Sequence, residues 1–430
     1  MNKEEVYNLC EKISKEEKVE FIYSSGKKVS ITFEKFDVTK GTNIESAVLY
    51  IRVIVNGQMG FYTITEISEN NIRKGIKNAK IIAKLKNDIK INDFGHAKSN
   101  THINFDKEIR NIDFTNFIPE IKNELKKEKY ISSYEGGLNK IENYEFYINP
   151  YTKKEEERSM INLGVNVVTK DKKQSSGSYS DIFTKAEDID ITRTFNQAKH
   201  DANILLNPKV GEKGEYTLIF TPDVFNDILS GLIIPGTIGE VIEKKESYLH
   251  SFVGKKVFSE NLTINEEPHI DDFMGSCSID DEGFKSEKKT IFDAGVFQTP
   301  IYDQYNAIKY NKKITGNGFR VGSTISCNHT NLIQLPGRES IDEIISKTKK
   351  GILVYSLLGM HTNKITTGDF SLVIGAGKEI INGKFKNTIT DLRFTGNLIN
   401  SFKDIYFSKE QRFYGNGLYS FGIIPKVKLV

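Results

Sequence analysis

The sequence predicts an α+β protein built as two lobes, on three observations. At 430 residues the chain is longer than one hydrophobic core usually serves. Its apolar positions switch repeatedly between a period of two and a period of 3.6. In the second half, strand-like runs follow one another more often than they alternate with helices, which disfavours a doubly wound parallel sheet.

Val6, Leu9, Cys10 and Ile13 share one stripe of an amphipathic helix. Val29, Ile31 and Phe33 then alternate with polar residues, after a turn expected at Ser24–Lys27. Val48–Val55 runs into Asn56-Gly57, a strong hairpin signal, and returns through Gly60–Thr65. Ser68 is placed to cap a helix carrying Ile72, Ile76, Ala79 and Ala83, and a further helix is expected over Phe117–Lys127. Strands follow at Tyr144–Ile148 and Ile161–Val167, then a helix with Phe195, Ala198, Ala202 and Leu205 that stops at Asn207-Pro208. Lys209–Gly214 reads as a linker, so the lobes are set at residues 1–208 and 209–430. The second lobe opens with a strand at Tyr216–Phe220. A helix follows, with Thr221 as its N-cap, Pro222 in its first turn and Val224, Phe225, Ile228, Leu229 and Leu232 on its buried side. One more helix is expected at Glu339–Lys350.

Sixty basic against 57 acidic residues leave a formal charge of +3, with both signs mixed along the chain. No basic block suggests a nucleic-acid arm, and nucleic acid is not an expected partner. Three widely separated cysteines, Cys10, Cys277 and Cys327, do not form a disulfide framework. The charged start of the chain lacks an apolar leader, and the longest apolar runs are too short to span a bilayer. The expected setting is cytoplasmic.

Four segments of the second half stand out: Asp280-Asp281-Glu282-Gly283, Thr315-Gly316-Asn317 leading into Gly318-Phe319-Arg320, Gly368-Asp369-Phe370-Ser371, and Thr395-Gly396-Asn397-Leu398. Their order and spacing resemble the TldD/PmbA family, intracellular peptidases once labelled modulators of DNA gyrase. Leu49–Val55 with Gly57 and Gly60, and the alanine-bearing helices around Ala79–Ala83 and Ala198–Ala202, extend the resemblance to nearly the whole chain. The resemblance implies a two-domain fold with large mixed or antiparallel sheets flanked by helices. Two departures lie in one loop region: the acidic pair before proline is Glu266-Glu267-Pro268, and Val257 stands where a second glycine is usual after Gly254-Lys255.

The family has two branches. In the TldD branch a His-Glu-x-x-x-His helix and a distant cysteine bind zinc, and the glutamate activates water. The corresponding stretch here reads Asn226-Asp227-Ile228-Leu229-Ser230-Gly231, and none of the seven histidines is followed by Glu. The chain therefore resembles the PmbA (TldE) branch. That branch implies no cofactor bound by this chain, with zinc held by a TldD-like partner in a heterodimer, or a homodimer where that partner is missing. The substrate class it implies is unfolded peptide.

Other clusters have two readings each. His269, Asp271, Asp272, Cys277, Asp280, Asp281 and Glu282 are metal-ligand types, but their spacing fits no template, and acids tying down turns are the preferred reading. Cys327 and His329 sit two apart, as a thiol and its base would on one strand face; a small core residue with a polar neighbour is preferred. Gly359-Met360-His361-Thr362-Asn363 is read as lining a peptide channel, against an ordinary strand with a surface turn. Two rival functions stay open: an independent hydrolase using Asp280–Glu282, and a non-enzymatic binding protein.

Overall fold

The computed structural model describes residues 1–98, 105–171, 174–322, 324–362 and 364–430. The first half is organised by six antiparallel strands: β1 (Val19–Lys35), β2 (Asp37–Val55), β3 (Gln58–Ile64), β4 (Ile131–Ile148), β5 (Lys153–Lys170) and β6 (Gln174–Phe183). Their order across the sheet is β3-β2-β1-β4-β5-β6. The turn expected at Ser24–Lys27 does not form. β1 runs straight through it, with Gly26 paired to Ser46 on one side and Asn143 on the other, because both neighbouring strands offer partners to a locally polar stretch.

One face of this sheet carries two apolar stretches, separated on β1 by Ser25 and Lys27. Val19, Phe21 and Tyr23 enter one core cluster, and Ile31 and Phe33 enter a second. Helices Lys3–Glu17 and Glu69–Leu85 cover the first cluster, and Ile118–Glu124 and Ile191–Ile204 cover the second. The helix expected over Phe117–Lys127 is thus shorter, with a 3-10 turn before it. The alanines of the covering helices Glu69–Leu85 and Ile191–Ile204 have a steric purpose. A Cβ on Gly60 of β3 would lie 1.9 Å from the Ala79 carbonyl oxygen, and one on Gly177 of β6 would lie 2.1 Å from the Ala202 amide nitrogen. Small residues on both sides let each helix backbone rest on an edge strand.

The second half forms a twelve-stranded mixed sheet. Its centre is Gly214–Phe220, parallel to Lys350–Leu358 and antiparallel to Gly417–Leu429. The presumed linker contains a two-residue strand, Lys209–Val210, parallel to Lys384–Thr390. The largest core of the chain lies under this sheet, around Phe220, Phe225, Ile291, Phe370 and Phe394. Thr221 is not a side-chain cap: its amide and hydroxyl both donate to the Val354 carbonyl, 3.3 Å away, which pins the helix start to the neighbouring strand. The last expected helix is Ile341–Lys347, closed by a Ser340/Glu343 capping box.

Gly60→Ala is expected to cost about 1–3 kcal/mol of stability through overpacking. Urea unfolding followed by circular dichroism measures it; an unchanged midpoint would contradict the close helix–strand contact.

Candidate functional site

Two places join the halves: a buried charged joint, and an open cleft beside the Pro222 helix. The joint grows from the second face of the first sheet. At one end this face carries Glu20, Arg52, Glu145, Tyr147, Lys154, Glu156 and Arg158, a pattern that alternation alone would assign to solvent. Instead it is covered by the loop that holds Asp280–Gly283. Arg52, fully buried, donates from Nη2 to Glu20 Oε2 at 2.6 Å and from Nη1 to Glu282 Oε1 at 2.9 Å. Tyr147 donates its hydroxyl to Glu20 at 2.5 Å. The Gly95 and Ala97 amides donate to the Glu282 and Gly283 carbonyls, adding a short backbone seam. Gly283 has φ +81°, and a Cβ there would meet the Tyr147 oxygen at 2.3 Å, so glycine is required on both counts. Arg158 reaches across to the carbonyls of Met274 and Ser276.

The motif acids fix the loop from within. Asp280 accepts from the amides of Glu282, Phe284 and Gly318, and Asp281 from that of Arg320. Glu282 Oε2 accepts from the Gln304 amide at 2.7 Å. Asp280 and Glu282 are buried with their oxygens engaged, which removes them as the nucleophile or base of an independent hydrolase. Among the described residues no group of three or more His, Cys, Asp or Glu is arranged to hold a metal ion.

Thr315, Gly316 and Asn317 lie next to this loop. Thr315 Oγ1 brackets Tyr302, accepting from its amide and donating to its carbonyl. Gly316, at φ +68°, presses on the Lys285 carbonyl. Asn317 donates to Glu266 at 2.7 Å. Glu266 also accepts from the Thr330 amide and hydroxyl and pairs with His329 Nδ1 at 3.1 Å, while His329 Nε2 meets Thr237. His329 is therefore spent on Glu266 and Thr237 and does not serve Cys327 as a base, while Cys327, expected in the core, is only half-buried. The other two motifs converge elsewhere. Asn397 caps the amide of Ile399 and donates to Asp369, which also accepts from Thr367; Gly368 turns at φ +76°, Phe370 packs on Phe394, and Gly396 gives room to Ser401 and Phe370. Ser371 continues the same strand.

The cleft is the space near Asp201, where Asp223 of the helix Pro222–Ile228 comes close enough to act on that carboxyl; the helix loosens into a π-helical segment at Leu229–Ile233. Val224, Phe225, Ile228 and Leu229 are buried, leaving Asp223, Asn226, Asp227 and Ser230 on the outer side. Burial lifts Asp201 of the first half to about 6, with the charge of Asp223 adding and Gln197 and Arg412 opposing. Burial likewise raises Tyr179 and Tyr355, which sense Asp201, Asp223 or Arg412. The wall where the halves face each other holds a cavity of about 550 Å³ whose lining includes Tyr179, Arg193, Gln197 and Arg412. Gly359, at φ +95°, ends strand Lys350–Leu358, and a 3-10 turn over Met360–Thr362 follows. Met360 sits 3.7 Å from where a Cβ on Gly231 would be, and His361 is exposed. Asn363 lies outside the described residues. Tyr179, Asp201 and Arg412 could not be singled out from the sequence, since nothing local distinguishes them. Arg52 carried a signal, a lone arginine within the apolar run Leu49–Val55.

A long antiparallel sheet whose charged face is held by the Asp280–Gly283 loop of a half built on a large mixed sheet defines a two-domain α+β protein. Residues 213–429 match the PmbA/TldA metallopeptidase C-terminal domain and residues 19–83 match PmbA/TldA metallopeptidase domain 1. The chain belongs to the PmbA/TldD family. It is 24% identical to the uncharacterized protein MJ0231 of Methanocaldococcus jannaschii over 94% of both chains. It is 25% identical to the metalloprotease MJ0996 of the same organism over 81% of this chain and 80% of that one. Its fold matches that of TldE from Thermococcus kodakarensis with a TM-score of 0.88 at 19% identity, covering 99% of this chain and 100% of that one.

One guanidinium serves two carboxylates at the joint, so burial outweighs the pull of Arg52 and lifts Glu282 from 4.5 to about 7. Between those values the folded chain keeps a proton that the unfolded chain has lost, and stability falls as pH rises through that window. Glu266 behaves oppositely: burial would raise it, but His329, Lys289 and the Thr330 amide bring it to about 2, so its contribution is lost as pH drops below 4.5. The melting temperature is expected to peak near pH ~5, and Glu282→Gln to flatten the decline on the alkaline side; a profile identical in the variant would contradict this. Arg52→Met is expected to cost about 3–5 kcal/mol by leaving buried carboxylates without a cation. In a double-mutant cycle, adding Glu282→Gln should cost less than the two single losses summed.

Proposed function

We propose that this chain is the metal-free subunit of a TldD/TldE-type peptidase, working in the cytoplasm beside a TldD-like subunit that carries the zinc and cleaves unfolded peptides. The observation that carries this reading is the outer side of the Pro222 helix. Where the zinc-binding branch places two imidazoles and a glutamate, this chain has Asn226, Asp227 and Gly231. A carboxamide and a hydrogen cannot replace two nitrogen ligands at a catalytic zinc.

The cleft supports a role in holding peptide. Strand Lys350–Leu358 pairs with Gly214–Phe220 only as far as Val354, while its antiparallel neighbour continues to Leu358. Among the described residues, Tyr355–Leu358 therefore has no strand partner on the side of the helix. An extended peptide can add there through backbone hydrogen bonds, which read no sequence and demand an unfolded segment. Gly359, Met360 and His361 stand at the end of that edge, and Thr362 closes the turn. No helix among the described residues is long and apolar enough to cross a membrane.

Purified alone, the chain is expected to hold no stoichiometric zinc by elemental analysis and to leave unfolded peptide uncut. Co-purification from its native cell should bring down a protein with a His-Glu-x-x-x-His helix, and peptidase activity with it. Tightly bound zinc and peptide cleavage by the lone chain would overturn the assignment.

A further inference from the structure

Away from the cleft, the two halves enclose a cavity of about 310 Å³, the size at which small organic ligands are held. Its apolar wall is assembled from both domains: Met59, Phe61 and Ile89 from the first, Ile238 and Ile325 from the second. Its polar end is Asp303 and Asn306. Both are buried, at 4% and 6% exposure, on the helix Gln304–Tyr310 that Asp303 caps. Asn306 Nδ2 donates to both Asp303 oxygens at 3.0 Å. That contact fixes the amide, because flipping it would set oxygen against carboxylate. The Asn306 Oδ1 is buried and has no hydrogen-bond donor. No ion pair to Asp303 forms among the described residues.

The other charged groups of the lining are occupied. Asp88 accepts from the Tyr305 hydroxyl and the Ile89 amide, Glu240 pairs with Lys244, and Lys86 lies over the Phe61 ring. Glu282 is held by Arg52 and the Gln304 amide. An unsatisfied acceptor beside an uncompensated carboxylate calls for a cationic donor, and the aliphatic and aromatic wall calls for a carbon skeleton behind it. A hydrated metal ion would waste the wall, and an anion would face the carboxylate.

We propose that this cavity binds a small organic ammonium ion, its head on Asn306 Oδ1 and Asp303 and its apolar body against Met59, Phe61, Ile89, Ile238 and Ile325. A ligand so placed touches both domains and lies against Glu282, so it favours the docked arrangement. This assignment is independent of the peptidase role. The test is calorimetric titration of the full chain with phenethylammonium, alongside 3-phenylpropionate, which has the same ring and a carboxylate head. Saturable binding of the ammonium is expected, with at least a tenfold preference over the carboxylate, and a rise in melting temperature on binding. Ile325→Trp, which fills the cavity from an exposed hairpin, should abolish binding, and Asn306→Leu should weaken it at least tenfold. Absence of saturable binding, equal response to both compounds, or undiminished binding by Ile325→Trp would overturn the proposal.

Discussion

The arrangement of the molecule depends on Arg52 standing between Glu20 and Glu282. Glu20 and Arg52 are cross-strand partners on β1 and β2, so the first sheet presents them as a preformed pair; Glu282 arrives from the second half, more than two hundred residues later. None of the three is exposed enough to be served by water, so separating the halves would leave charge without a counter-charge. The interaction thus specifies one docking position far more sharply than apolar contact would. The apolar part of the same joint is small: Ile22, Tyr147 and Ile279 with Tyr50 and Ala97.

Much of the fold was legible. The Asn56-Gly57 hairpin and the capped helix after Ser68 each follow from local chemistry that tertiary structure did not overrule, and the strand-to-helix step at Phe220–Pro222 stands although Thr221 bonds the neighbouring strand instead of capping. Ser24–Lys27 failed because turn-like composition is a weak signal when strands on both sides supply hydrogen bonds. The burial of the charged face of the first sheet was not legible, for a different reason. Alternation tells which residues share a face but not what lies opposite, and here a second domain lies opposite.

The motif residues show the same division. Asp280 to Gly283 and Thr315 to Asn317 were recognisable as a pattern, and turn-tying acids were the preferred account; in the structure Asp280 and Asp281 accept from the amides of Glu282, Phe284, Gly318 and Arg320. That the same loop docks the first domain was not legible, since Arg52 is too distant in sequence. The cleft is harder still. Tyr179, Asp201 and Arg412 come from two domains and acquire meaning only from proximity.

The π-helical winding at Leu229–Ile233 has a consequence for metal binding. A His-Glu-x-x-x-His pattern places its imidazoles five residues apart, and on an ordinary α-helix that step overshoots a full turn by about 140°. A π turn, bonded from residue i to i+5, brings such positions back toward one side. In this chain the π winding covers Leu229–Ile233, so it includes Gly231 but not Asn226, which sits on the α-helical turn before it. The winding thus changes between these two positions, and the outward directions of their side chains follow neither α nor π geometry alone.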